Sequence, residues 1–78
     1  MHKNAELLFK AVLTGAEVYI RYAPGCVDFQ GFVDRIENVC ANCGNTVIVI
    51  KMSEAGRPSN KETFYLIYNS DELFIEFC

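Results

Sequence analysis

EVYIRYAPGCVDFQGFVDRIEN, residues 17–38, reads as two β-strands joined by a tight turn. Val18, Ile20 and Tyr22 alternate with Glu17, Tyr19 and Arg21, the period of two that marks a half-buried strand. Ala23-Pro24-Gly25 breaks that strand: proline presets φ for the second position of a β-turn, and the glycine after it tolerates φ > 0. The chain resumes with Val27, Phe29, Gly31 and Val33 on one face and Asp28, Gln30, Phe32 and Asp34 on the other. After Val33 the next apolar position is Ile36, so the alternation slips by one. The slip predicts a bulge or sharp bend beside Gly31, where a missing side chain lets the strand curl. A long second strand bent at a glycine is how a small barrel closes.

Upstream, Met1-His2-Lys3 reads as a loose start and Asn4 as a helix cap, its side-chain oxygen taking an unpaired first-turn amide. Ala5, Leu8, Phe9, Val12 and Leu13 recur with the spacing of an amphipathic helix over about 4–14, which Gly15 ends. Glu6 and Lys10 stand four apart in the favourable order. The helix is expected apolar face down across one open end of the barrel. Downstream, Thr46–Met52 carries four consecutive β-branched aliphatics, the mark of a strand buried on both faces or placed at a subunit contact. Ser53–Lys61, SEAGRPSNK, reads as a polar loop punctuated by Gly56 and Pro58. Strands follow at about 62–68 and 73–77, with a short turn at 69–72. The expected fold is therefore mainly β with one N-terminal helix. It is one domain over 1–78, a five-stranded antiparallel small barrel whose strands lie at about 17–23, 27–38, 46–52, 62–68 and 73–77, closure hiding the sheet edges.

A chain of 78 residues stands near the lower limit for an independent core, and its 51% hydrophobic and 13% aromatic content exceeds what one small barrel interior absorbs. The surplus is expected at an interface. A net charge of −3, with Lys and Arg scattered at 3, 10, 21, 35, 51, 57 and 61, counts against phosphate-backbone binding and suits a basic or apolar partner. No signal peptide or membrane-spanning run is visible, the longest aliphatic run being Val47–Ile50. The cytoplasm is the expected compartment, with no membrane partner, and the four cysteines are expected reduced there.

With a helix leading into β1 and β2, the residues Val18, Ile20, Gly25, Gly31 and Val33, followed by Ile36 and Asn38, resemble the first motif of the Sm-like family of SH3-type small barrels. The likeness covers residues 5 to 52 as pattern. The layout is also similar to the Rof group, acidic Sm-like proteins that inhibit the Rho terminator. In Sm proteins the β2–β3 loop lines a ring pore and holds a base, so the resemblance implies that role for Asn38, Asn42 and Asn45. Asparagine is also a common turn residue, tolerant of left-handed backbone. Asn69-Ser70-Asp71 lacks the basic or Arg-Gly motif with which the family helps hold RNA.

Catalysis finds little in this sequence. The single histidine, His2, lies at the terminus, no carboxylate pair is spaced for a cleft, and no phosphate loop or dinucleotide fingerprint is present. The expectation is a protein that is not an enzyme and carries no cofactor. Cys40-Ala41-Asn42-Cys43-Gly44 resembles one knuckle of a structural zinc site, but closing it needs two further ligands from Cys26, Cys78 and His2. Cys26 belongs to the opposite end of β2 and cannot readily join, whereas Cys78 could reach, depending on where the last strand ends. Reduced thiols in a turn are the expectation, with no metal site assigned. Tyr19, Phe32 and Phe74 fall on the polar side of their strands and are the expected binding aromatics, together with Asn38, Asn42 and Asn45. Lys51, Arg57 and Lys61 are expected at a solvated tip. These features point to a small acidic regulator or inhibitor that occupies a protein partner, a class frequent in phages and mobile elements. The alternative is a homo-oligomeric, possibly ring-like Sm-like assembly holding RNA or a nucleotide-like ligand between subunits.

Overall fold

Residues 2–40 and 46–78 are described by the structure, a computed structural model. Helix α1 (Lys3–Thr14) precedes β1 (Glu17–Tyr22), a 3₁₀ turn (Ala23–Gly25), β2 (Val27–Cys40), β3 (Thr46–Glu54), β4 (Arg57–Ile67) and β5 (Leu73–Phe77). The strands form one antiparallel sheet in the order β4-β3-β2-β1-β5. A mainly β chain with one N-terminal helix and five antiparallel strands is thus present, but the sheet does not close into a barrel. No ladder joins β4 to β5 among the described residues. The Tyr22 hydroxyl of β1 accepts from the Ile67 amide of β4 at 3.2 Å. Apolar burial is completed by the helix instead, which packs on the core face against β2 and β5. Leu8, Val18, Ile20, Ile50, Met52 and Leu66 are fully buried there, each stabilising by about 1.5–3 kcal/mol relative to exposure.

The phase slip in β2 is a β-bulge. Val33 pairs with Met52 and Arg35 with Lys51, leaving Asp34 as the extra residue and returning Ile36 to the core face opposite Ile50. It lies three residues beyond Gly31, where the sequence pattern predicted it. Gly31 has its own task. A Cβ there would stand 2.0 Å from the Ser53 carbonyl oxygen, so only glycine admits this close approach of β2 and β3.

The first turn differs from expectation. The positive φ falls at Cys26 (52°), which follows the 3₁₀ turn, and not at Gly25. Gly25 instead supplies space, because a Cβ would lie 3.2 Å from the Tyr22 ring. Ser53–Lys61 is not a loop. β3 runs on to Glu54, Ala55–Gly56 turns the chain with Gly56 at φ 80°, and β4 begins at Arg57. Glu54 pairs with Arg57 and Ser53 with Lys61, so Pro58, Ser59 and Asn60 are extra residues in β4. Proline is tolerated there because the regular ladder is already interrupted. The polar composition marks a hairpin tip exposed on both sides rather than absent strand.

The helix is turned about a quarter-turn from the stripe read in the sequence, at 3.6 residues per turn. Asn4, Leu8 and Ala11 are buried and Leu7 and Val12 pack beside them, whereas Phe9 is exposed and Leu13 is 85% exposed. Asn4 explains the turn. Its side-chain amide donates to the carbonyls of Tyr68 (3.1 Å), Ser70 (3.4 Å) and Leu73 (3.5 Å), drawing the first helical turn onto the β4–β5 connection. It is not the cap. His2 is, its Nδ1 accepting from the Asn4 amide at 3.1 Å, so His2 is held to the helix start rather than loose. Gly15 ends the helix in the left-handed region as predicted. Lys10 lies over the Phe77 ring, 5.4 Å from its centroid, and forms no ion pair with Glu6.

Candidate binding surface

Strand parity divides the sheet into two faces. Val18, Ile20 and Tyr22 of β1, with Leu73 and Ile75 of β5, enter the core, so Glu17, Tyr19, Arg21, Phe74 and Glu76 face outward. Register then arranges the outward residues in rows. Phe74, Arg21 and Asp28 form one row, Glu76, Tyr19 and Gln30 the next, and Glu17, Phe32 and Ser53 the third. Phe74, Tyr19 and Phe32 therefore lie on one diagonal across β5, β1 and β2, with neighbours about 7–8 Å apart by sheet geometry. Phe74 is 58% exposed and Phe32 37%. The three aromatics placed on the polar side by the sequence pattern share one exposed face.

Two clefts open on this face. One, of about 350 Å³, is lined by Tyr19, Arg21, Phe74 and Glu76. The other, of about 220 Å³, shares Arg21 and Phe74 and continues towards the β1–β2 turn past Asp28, Cys26 and Glu72. Among the described residues Arg21, Asp28, Glu72 and Glu76 form no ion pair. Asp28 bears on the Tyr19 phenol. Hydrogen bonding to that carboxylate, then desolvation and the negative charges of Asp28 and Glu76, hold the phenol above its ordinary value of 10.0. Arg21, Glu72 and Glu76 are contributors that the sequence pattern did not single out. Their signal was available in the alternation around Tyr19 and Phe74, but charged residues on an exposed face are ordinary.

The outer face of β2, β3 and β4 is organised differently. The Ser53 hydroxyl, in a buried residue, donates to Asp34 at 2.5 Å, and Lys61 donates to both Asp34 (3.1 Å) and Ser53 (2.9 Å). The Ser53 hydrogen bond, then Lys61, hold the Asp34 carboxyl below its ordinary 3.8. This triangle pins the bulge residue, so Lys61 does not belong to a free basic tip. Arg35 and Glu37 pair beside it at 2.5 Å.

The other expected site residues are not brought to this surface. Asn38 pairs with Ile48 in the β2–β3 ladder, while Asn42 and Asn45 lie outside the described residues. So does Cys43, which leaves the C-x-x-C motif outside them. Cys26 sits at the β1–β2 turn and Cys40 at the far end of β2, as the spacing required. The Cys78 amide bonds the Glu17 carbonyl, level with Phe32, and Cys40 stands eight residues farther along β2 (32 to 40). Partial desolvation, then the Glu17 carboxylate, push the exposed Cys78 thiol above its ordinary 9.0. No helix among the described residues is long and apolar enough to cross a membrane. No family model, curated protein or solved structure matches this chain.

Proposed function

We propose that this chain is a non-enzymatic binding module that regulates or inhibits a protein partner by covering it with the outer face of β5, β1 and β2. One observation carries the reading: Phe74, Tyr19 and Phe32 stand on a single exposed diagonal, and Phe74 and Tyr19 line a cleft whose charged groups form no ion pair among the described residues. Exposed aromatics beside unpaired polar groups are the ordinary make-up of an interface centre. The reading extends to the Sm-like resemblance. A helix, five antiparallel strands and a curled β2 are the parts of that fold, here with the helix completing the core. Partner capture from a lysate of the source cells tests the proposal. Phe32→Ser and Phe74→Ser should each lower recovery of a partner at least tenfold while the melting temperature stays within a few degrees. Recovery equal to the unsubstituted chain would reject this surface.

A second reading, a homo-oligomer, is favoured by the open sheet edges. The Ile67 amide points to Tyr22, so Ile67, Tyr65 and Thr63 turn their backbone groups away from β3. The Cys78 and Ala23 bonds to β1 and β5 likewise leave Ile75 and Phe77 turned away from β1. Edges of this kind template pairing with another strand. On this reading β4 of one copy pairs with β5 of the next, and RNA or a nucleotide-like ligand lies between subunits. Native mass spectrometry separates the readings: a closed ring, especially with excess mass, supports the oligomer, and a bare monomer opposes it.

A further inference from the structure

The chemistry of the cleft specifies what enters it, an inference that rests on the binding-surface reading above. Three carboxylates, Asp28, Glu72 and Glu76, line the two connected clefts against one cation, Arg21. Asp28 stands directly opposite Arg21 in the β1–β2 ladder. Against that one cation at least two carboxylates are in surplus, and Glu72 and Glu76 line the clefts on either side of Phe74 without an ion-pair partner among the described residues. Between them the Tyr19 and Phe74 rings offer apolar walls whose faces carry negative electrostatic potential. A concave site with aromatic walls and surplus carboxylate attracts a cation with an apolar stem and repels an anion. We propose that this cleft receives an arginine or lysine side chain of the protein partner, laid against Tyr19 and Phe74 with its charge met by Glu72 and Glu76. A planar guanidinium, which stacks on a ring and hydrogen-bonds in the same plane, fits better than an ammonium.

The test uses the full chain, labelled with ¹⁵N, and a capped tripeptide, acetyl-Gly-Arg-Gly-amide, followed by amide shifts at low ionic strength. Its control is the same peptide with citrulline, which keeps the shape of arginine without the charge. The arginine peptide should shift the amides of Tyr19, Phe74 and Glu76 and bind about two- to fivefold more tightly than the citrulline peptide. The double substitution E72Q/E76Q, mild for the fold, should remove that preference, and F74S should remove the shifts. Equal binding of the two peptides would overturn the inference, as would preference for acetyl-Gly-Glu-Gly-amide, shifts confined to other strands or no saturable response. Those results would leave the surface itself standing if Phe74→Ser still abolishes partner capture. If capture is unaffected by Phe74→Ser, the binding-surface reading fails whatever the peptides show.

Discussion

The outward face of one sheet carries two polar clusters, and they differ in what their charges do. Around the bulge, Asp34, Ser53 and Lys61 satisfy one another at 2.5–3.1 Å, and the serine is buried beneath them. Around the β5 side, Arg21, Glu72 and Glu76 ring an open cleft beside Phe74 without pairing, and Phe74 is mostly exposed. Closed polar groups hold a fold in place, because each would cost free energy if left alone. Open ones beside exposed rings contribute little to folding and remain available to another molecule. On the proposed function, the first cluster serves stability and the second recognition.

Substitutions should respect that division. The largest effect is expected at the strand crossing under the bulge. Gly31→Ala would drive a methyl into the Ser53 carbonyl and should cost about 3 kcal/mol or more in urea denaturation, or prevent folding. Next is Asn4→Ala, which strips a buried amide from three carbonyls of the β4–β5 connection. It should cost about 1–3 kcal/mol and free the helix start, seen as faster hydrogen exchange in the first turn. Phe74→Ser should change stability by no more than about 0.5 kcal/mol, since the ring is exposed, while removing partner recovery. A large loss of stability from Phe74→Ser would erase the contrast between the two clusters.

Smaller effects sharpen it. Asp34 has a depressed carboxyl pKa in the fold, so its contribution is present above the ordinary 3.8 and is lost as pH falls through the lowered value. Both partners of the ion pair are more than a third exposed, so the contribution is about 0.5 kcal/mol after screening. Asp34→Asn should lower the melting temperature by a few degrees at neutral pH, and the gap should close in acid. A gap unchanged at pH 2 would mean that the charge plays no part. The smallest change is spectroscopic. Asp28→Asn should bring the Tyr19 phenol back towards 10.0, read by NMR titration of labelled tyrosine, with no change in melting temperature at neutral pH.

Much of this was legible in the chain before any fold was drawn. Val33 followed by Ile36 required an extra residue in β2, and the alternation about Ile20 put Tyr19 outward, because strand parity is a local property. What escaped was whatever depends on distant partners. Asn4 resembles a cap in its local setting, and nothing nearby shows the carbonyls of Tyr68, Ser70 and Leu73 that turn it inward. A bent β2 predicts closure of the barrel, yet whether β4 meets β5 depends on what fills the core, and the helix does so. The polar run Ser53–Lys61 reads as a loop because the exposed hairpin tip beyond the buried Ser53 mimics one. For the candidate surface, parity placed Phe32, Tyr19 and Phe74 on the outward side. Their common diagonal depends on pairing Tyr19 with Glu76 and with Gln30, a register the residues themselves do not display.

The measurement that tests the contrast most directly is site-specific photocrosslinking in source cells, with benzoylphenylalanine replacing Phe74 in one experiment and Tyr65 in another. Both positions are exposed on the outer face, Phe74 beside the open cleft and Tyr65 beyond the closed cluster, so accessibility alone does not favour either. The binding-surface account predicts a discrete adduct of this chain with a different protein from position 74 and none from position 65. An adduct from 65 alone, equal adducts from both, or only the mass of a second copy of this chain would contradict it.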